Sequence, residues 1–230
     1  MKTVGIIGGI APESTIEYYR KIVSAYLQRE ATRNYPQIII NSIDMTKMLD
    51  LIGNGEFEEV SRYLADEVNK LESAGAEFGV LASNTPHIVF NKVRELSQLP
   101  LISIVEATCK KILEIGLEKV ALFGTKFTMQ GGFYGEVLSR SGIEVITPDD
   151  VDQRFIHEKY MGELVKGIIL DETRAGLISV IEKMKQKHNV QGLILGGTEL
   201  PLILNPDDVS SIHVFDTTEI HVESIMEVLT

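Results

Sequence analysis

Apolar residues along this chain fall into two patterns that alternate from end to end. Short, nearly continuous apolar runs lie near 3–7, 37–42, 78–82, 100–104, 119–123, 143–147, 192–196 and 212–215. Longer segments at 13–29, 57–73, 127–140 and 172–188 place apolar residues at helical spacing, with charged residues between them. Runs without polar alternation predict strands covered on both faces, and their alternation with amphipathic helices predicts a parallel α/β sheet. Pro12 followed by Glu13 suits a first helical turn, where a missing N–H is tolerated and a carboxylate meets the positive end of the helix dipole. Ala74-Gly75-Ala76 and Ser141-Gly142 predict helix ends.

The pattern also repeats. Val4-Gly5-Ile6-Ile7-Gly8-Gly9 is echoed by Val120-Ala121-Leu122-Phe123-Gly124-Thr125. Gly79-Val80-Leu81-Ala82-Ser83-Asn84-Thr85 is echoed by Gly192-Leu193-Ile194-Leu195-Gly196-Gly197-Thr198-Glu199. Gly8 and Ser83 are 75 residues apart, Gly124 and Gly197 73. Each half then closes with an apolar run ending on an acid and a threonine, Leu101–Thr108 and Ile212–Thr218, followed by a helical stretch, Lys110–Gly116 and Ile220–Leu229. The expected architecture is α/β with two similar lobes, each a mostly parallel sheet flanked by helices. The lobes are expected to be related by a pseudo-two-fold axis, with the site in the cleft between them. The first lobe would comprise 1–105 plus 217–230 and the second 106–216. The closing echo has two explanations, a shared fold alone or an exchange in which each half sends its last helix onto the other.

Composition narrows the function classes. No apolar stretch approaches the ~18 residues of a membrane span, and the chain enters its first strand without a signal-peptide pattern. A net charge of −11 argues against nucleic acid, which requires clustered Lys and Arg. Cys109 is the one cysteine, so no disulfide forms within the chain, and a cytoplasmic location is expected. His213 and His221 are eight apart with the first inside an expected strand, and no ligand spacing suggests a metal.

Ligands of open parallel sheets gather beyond the carboxyl ends of the strands. Here those loops are Gly8–Glu13, Asn41–Lys47, Ser83–His87, Gly124–Thr128 and Gly197–Glu199, rich in glycine, hydroxyl and amide groups. Such loops bring N–H groups and short donors to a carboxylate or phosphate. Tight turns alone would explain any single loop. Gly8-Gly9 lacks the full dinucleotide fingerprint, and no acidic residue follows at the spacing a ribose needs.

Together, Gly8-Gly9 with Pro12-Glu13-Ser14-Thr15, Ser83-Asn84-Thr85, Phe123-Gly124-Thr125 with Thr128-Met129, and Gly196-Gly197-Thr198-Glu199-Leu200 resemble the aspartate/glutamate racemase family over essentially the whole chain. The resemblance implies a cofactor-independent, homodimeric α/β protein that moves the α-proton of a small acidic amino acid or dicarboxylate between two cysteine bases. It further implies that Asn84, Thr85, Thr198 and Lys166 hold the substrate, with Gly8, Gly9, Thr125 and Thr128 lining its site. Lys166 could equally be a solvated helix-end lysine. At both base positions the chain departs from the pattern, with Ser83 at the first and Gly197 at the second.

A thiol ionises near ~8.5 and is readily pulled lower, whereas a serine hydroxyl needs a neighbouring base and glycine offers no side chain. Possible substitutes are His87, which could pair with Ser83 or simply pack, and Glu199, which could act through water or fix its loop. Asp44 could hold a substrate amine or bond its own loop. Lys47 is the nearest cation to the position where some members carry an arginine. Cys109 lies in an expected helix and matches neither motif. Three functions follow: a racemase working slowly or through substitute bases, a catalytically silent binding protein for a small dicarboxylate or acidic amino acid, and a one-sided enzyme with a single protonating group. The third is disfavoured because such relatives keep one cysteine.

Overall fold

A computed structural model describes residues 2–29, 34–209 and 212–229. The first compact unit extends to Ile104 and takes in the segment from Thr218 onward, while Val105–Thr217 forms the second.

In the first unit, β1 (Val4–Gly8) leads into α1 (Pro12–Arg29), and β2 (Ile38–Ser42) into α2 (Met45–Gly53) and α3 (Phe57–Ser73). Then come β3 (Phe78–Leu81), a 3₁₀ turn over Thr85–Val89, α4 (Phe90–Leu96) and the short β4 (Leu101–Ile102). The strands form one parallel sheet in the order β2-β1-β3-β4, with Val4 in register with both Ile38 and Phe78. Crossover helices make parallel pairing possible, and the buried central strands explain the unbroken apolar runs.

The second unit opens with α5 (Ile104–Ile115), β5 (Lys119–Gly124), α6 (Lys126–Gln130), α7 (Phe133–Ser139) and β6 (Glu144–Ile146). It continues through α8 (Asp150–Gly162), a 3₁₀ turn over Leu164–Lys166, α9 (Asp171–His188), β7 (Gly192–Gly196), α10 (Leu200–Ile203), a 3₁₀ turn over Pro206–Val209 and β8 (His213–Asp216). Its sheet is again all parallel, in the order β6-β5-β7-β8. In both sheets the second strand lies at the edge beside the first, so the sequence echo is an echo of topology.

The chain ends in α11 (Thr217–Leu229), which packs in the first unit. Its Val222, Ile225, Met226 and Leu229 are buried with Val4, Ile6, Phe78 and Val80 of the first sheet and with Tyr18 and Ile22 of α1. Conversely α5, which follows the last strand of the first sheet, belongs from Val105 to the second unit.

Several helices depart from the sequence pattern, including the short α2 and α4, which lie outside the expected helical segments. The expected helix at 127–140 is split into α6 and α7 by Gly131-Gly132, where Gly132 takes φ 73°, a left-handed conformation that interrupts helical bonding. The helix α8 lies outside every segment of helical spacing. Asp149 caps it by accepting from the Asp152 N–H at 3.1 Å, but its mixed polar sequence gives little periodic signal. No helix of the described residues is long and apolar enough to cross a membrane, and no group of His, Cys, Asp and Glu among them is arranged to hold a metal.

Candidate active site

The first unit presents Gly8-Gly9 at the end of β1 and Ser83-Asn84-Thr85 at the end of β3. The Gly9 N–H donates to Thr15 Oγ1 of α1 at 2.8 Å, so the start of the helix clasps the turn. Asn84 and Thr85 are buried, while Ser83 is partly exposed. Asp44 caps α2, accepting from the N–H groups of Thr46 at 2.9 Å and Lys47 at 3.2 Å. This is the loop-bonding alternative for that residue. Lys47 lays its ammonium over the Tyr63 ring, 4.2 Å from the centroid.

His87 does not pair with the Ser83 hydroxyl. Its Nε2 accepts from the Ile104 N–H at 3.2 Å, so the ring proton sits on Nδ1 and is donated to the Ser83 carbonyl at 3.0 Å. The ring stacks on Phe90, 4.7 Å between centroids, and meets His221 edge-on at 6.5 Å. Burial, then the neighbouring His221, brings its pKa down to about 3. With both nitrogens engaged by backbone, His87 fixes the end of β3 to the start of α5. His221 is anchored likewise: Nε2–H donates to the Ile102 carbonyl at 3.1 Å, and Nδ1 accepts from Tyr18 O–H at 2.8 Å. Burial lowers its pKa to about 4.

The second unit presents Thr125 and Thr128 after β5, and Gly197-Thr198-Glu199 after β7. Thr125 caps α6, and its hydroxyl lies 3.2 Å from that of the buried Thr128. Lys166 is exposed on the 3₁₀ turn after α8. Cys109 is buried in α5 with Sγ 3.6 Å from Ser141 Oγ, a packing role rather than a nucleophile's.

Gly197 has a neighbour that sequence reasoning missed. A β-carbon added there would lie 2.5 Å from Tyr160 Cε2 and 2.6 Å from its hydroxyl, inside van der Waals contact. The ring of Tyr160, from the last turn of α8, thus occupies the space a side chain at 197 would need. Its O–H donates to the buried Glu199 carboxylate, which also accepts from Thr198 Oγ1 at 2.7 Å. Burial first, then the Glu199 charge, raises the Tyr160 pKa well above its ordinary value, which keeps the phenol protonated. Glu199 therefore fixes its loop through two hydroxyl groups. No local signal ties Tyr160 to Gly197, since only the packing of α8 onto the second sheet brings them together.

Known proteins place this arrangement. The sequence profile of the Asp/Glu/hydantoin racemases matches residues 7–225. The broad specificity amino-acid racemase RacX of Bacillus subtilis is 29% identical over 153 residues, covering 65% of this chain and 66% of that protein. Two solved structures, of a Yersinia pestis protein assigned to the Asp/Glu racemases and of an aspartate racemase homologue from Pyrococcus horikoshii, are each 37% identical. Each match covers 100% of this chain and 99% of the other, with TM-scores of 0.91 and 0.87. A Picrophilus torridus aspartate racemase shares the fold at 23% identity and a TM-score of 0.72. With the profile spanning nearly the whole chain and the fold shared end to end, the chain belongs to the Asp/Glu/hydantoin racemase family.

Proposed function

We propose that this chain is a binding member of its family, holding a small acidic amino acid or dicarboxylate without two-base racemisation. The observation that carries this reading is the ring of Tyr160 standing where a side chain at position 197 would begin. A racemase of the resembled type needs a base for each face of the α-carbon. Here position 197 has no thiol, and the Tyr160 ring would have to move to admit one, while the nearest imidazole to Ser83 is engaged on both nitrogens by backbone. Each general acid or base contributes roughly 10²–10⁴-fold to rate, so losing both removes most of the catalysis. Asn84, Thr85, Thr198 and Lys166 remain as the groups assigned to the ligand by resemblance, with Gly8, Gly9, Thr125 and Thr128 as its lining. The same resemblance carries the proposal of a cytoplasmic homodimer needing no cofactor.

A second reading has one specific support. The buried Tyr160 phenol next to Gly197 donates to the Glu199 carboxylate, and this acid–carboxylate pair would serve proton transfer on a single face.

One experiment separates the readings. Isothermal titration with aspartate, glutamate, alanine and lysine is combined with NMR of Cα deuterium exchange for both enantiomers of the acids. Binding of the acidic pair with no exchange is expected. Exchange confined to one enantiomer selects the single-face reading. Exchange of both enantiomers with racemisation, or no preference for the acidic pair, overturns the proposal.

A further inference from the structure

The faces of α8 divide its work. Ile156 and Tyr160 enter the core of the second unit, whereas Asp150, Gln153, Arg154 and His157, at i, i+3, i+4 and i+7, share another face. That face and α6 enclose a cavity of about 310 Å³ lined by Lys126, Gln130, Asp150, Gln153, Arg154 and His157. None of the residues assigned to the amino-acid ligand lines it.

Its chemistry is cationic in a chain of net charge −11. Lys126 and Arg154 face the same space, and among the described residues neither is ion-paired to a carboxylate. His157 Nδ1 accepts from the Lys126 N–H at 3.2 Å, so the neutral ring carries its proton on Nε2 as a donor. The floor is fixed. Gln153 is buried, its Nε2 donating to the Pro148 carbonyl at 2.7 Å while its Oε1 accepts from Gln130 at 2.9 Å. Lys126 and Gln130 are one turn apart on α6, so two helices present donors to one volume. Its single carboxylate, Asp150, lies exposed at the start of α8.

We infer that this cavity is a second binding site, taking the phosphate of inorganic phosphate or of a small phosphomonoester between Lys126, Arg154 and His157. Lys126 and Arg154 bring two positive charges to an oxyanion, and a guanidinium fork suits the spacing of phosphate oxygens. The volume lies at the small end of ligand cavities, enough for a phosphate with a short substituent. Asp150 offers an acceptor for a hydroxyl on that substituent. Asp150 offsets one of the two positive charges, so phosphate is favoured by the number of donors: the Arg154 fork, the Lys126 ammonium and the His157 Nε2–H together match its three terminal oxygens.

The site is tested on the full chain by titrating inorganic phosphate, glycerol phosphate and glycerol while following the His157 ring resonances by NMR. Saturating shifts at His157 with both phosphates at millimolar concentrations, and none with glycerol, are expected. Tighter binding of glycerol phosphate would identify the ester as the better ligand, and equal binding the free anion. Lys126→Gln and Arg154→Gln, both at exposed helical positions, should each weaken binding roughly tenfold or more. Absence of a His157 shift, or binding retained by the double variant, overturns the inference. Aspartate at saturation should leave the phosphate titration unchanged, so this outcome is read independently of the acidic-ligand proposal.

Discussion

The tips of β3 and β7 occupy equivalent places in two sheets of the same strand order, yet they are secured by opposite chemistry. After β3, two neutral imidazoles tie side chain to backbone: His87 bridges Ser83 and Ile104, and His221 bridges Tyr18 and Ile102. After β7, a buried carboxylate gathers the hydroxyls of Tyr160 and Thr198, and an aromatic ring stands over a glycine. The first tip keeps room for a side chain and lacks a base. The second has a carboxylate at hand and no room. A repeated scaffold thus preserves where the loops lie without preserving what they can do.

The comparison breaks most strongly with acid. His87 and His221 titrate near 6.5 when unfolded but near 3 and 4 in the fold. The unfolded chain therefore binds more protons across that window, so their stabilisation is complete above about pH 6.5 and is lost as pH falls toward the folded values. At about 1.4 kcal/mol per unit, the loss by pH 4 is on the order of 5 kcal/mol. Urea midpoints measured from pH 7 to pH 4 should fall accordingly. The slope should flatten in His221→Gln, which keeps a donor and an acceptor while removing one titrating ring.

The second tip should resist any β-carbon. Gly197→Ala is expected to cost about 1–3 kcal/mol, because the Tyr160 ring must move. A thermal-unfolding cycle with Tyr160→Ala should show strong coupling, the glycine substitution becoming far less costly once the ring is gone. Simple additivity would mean the two positions are not in contact. The same logic predicts that placing cysteine at both base positions fails to restore racemisation while Tyr160 is present.

The smallest effect is expected at the first tip. Ser83→Cys keeps the same side-chain length in a partly exposed position, so its stability change should lie within about 0.5 kcal/mol. The new thiol should titrate near its ordinary value in iodoacetamide kinetics, because the His87 nitrogens are already engaged. A strongly lowered thiol pKa would reveal a base at this tip and sharpen the case for single-face chemistry.

Much of the fold was legible because each strand is an unbroken apolar run closed by small residues, as in Val4–Gly8 and Gly192–Gly196. The helix α8 was opaque, since Asp150–Gly162 buries only Gln153, Ile156 and Tyr160, too few to set a period against its many charges. Site positions could be named from motif order, but not their condition. That His87 is spent on backbone depends on Ile104, 17 residues on, and that position 197 is filled depends on Tyr160, on a different element. Both facts arise from packing between distant segments, which no local spacing encodes.

The placement of α11 has a further consequence. Its Val222, Ile225, Met226 and Leu229 cover Val4, Ile6, Phe78 and Val80, so the first sheet lacks part of its cover until α11 arrives, after the whole of the second unit. A fragment cut after Ile104 would carry a bare apolar face, and one beginning at Val105 would carry a helix with no sheet of its own to lie on. Ribosomal synthesis thus delivers the first half long before it can be completed. A half-length chain of this design would meet the same need by trading terminal helices with a second copy of itself.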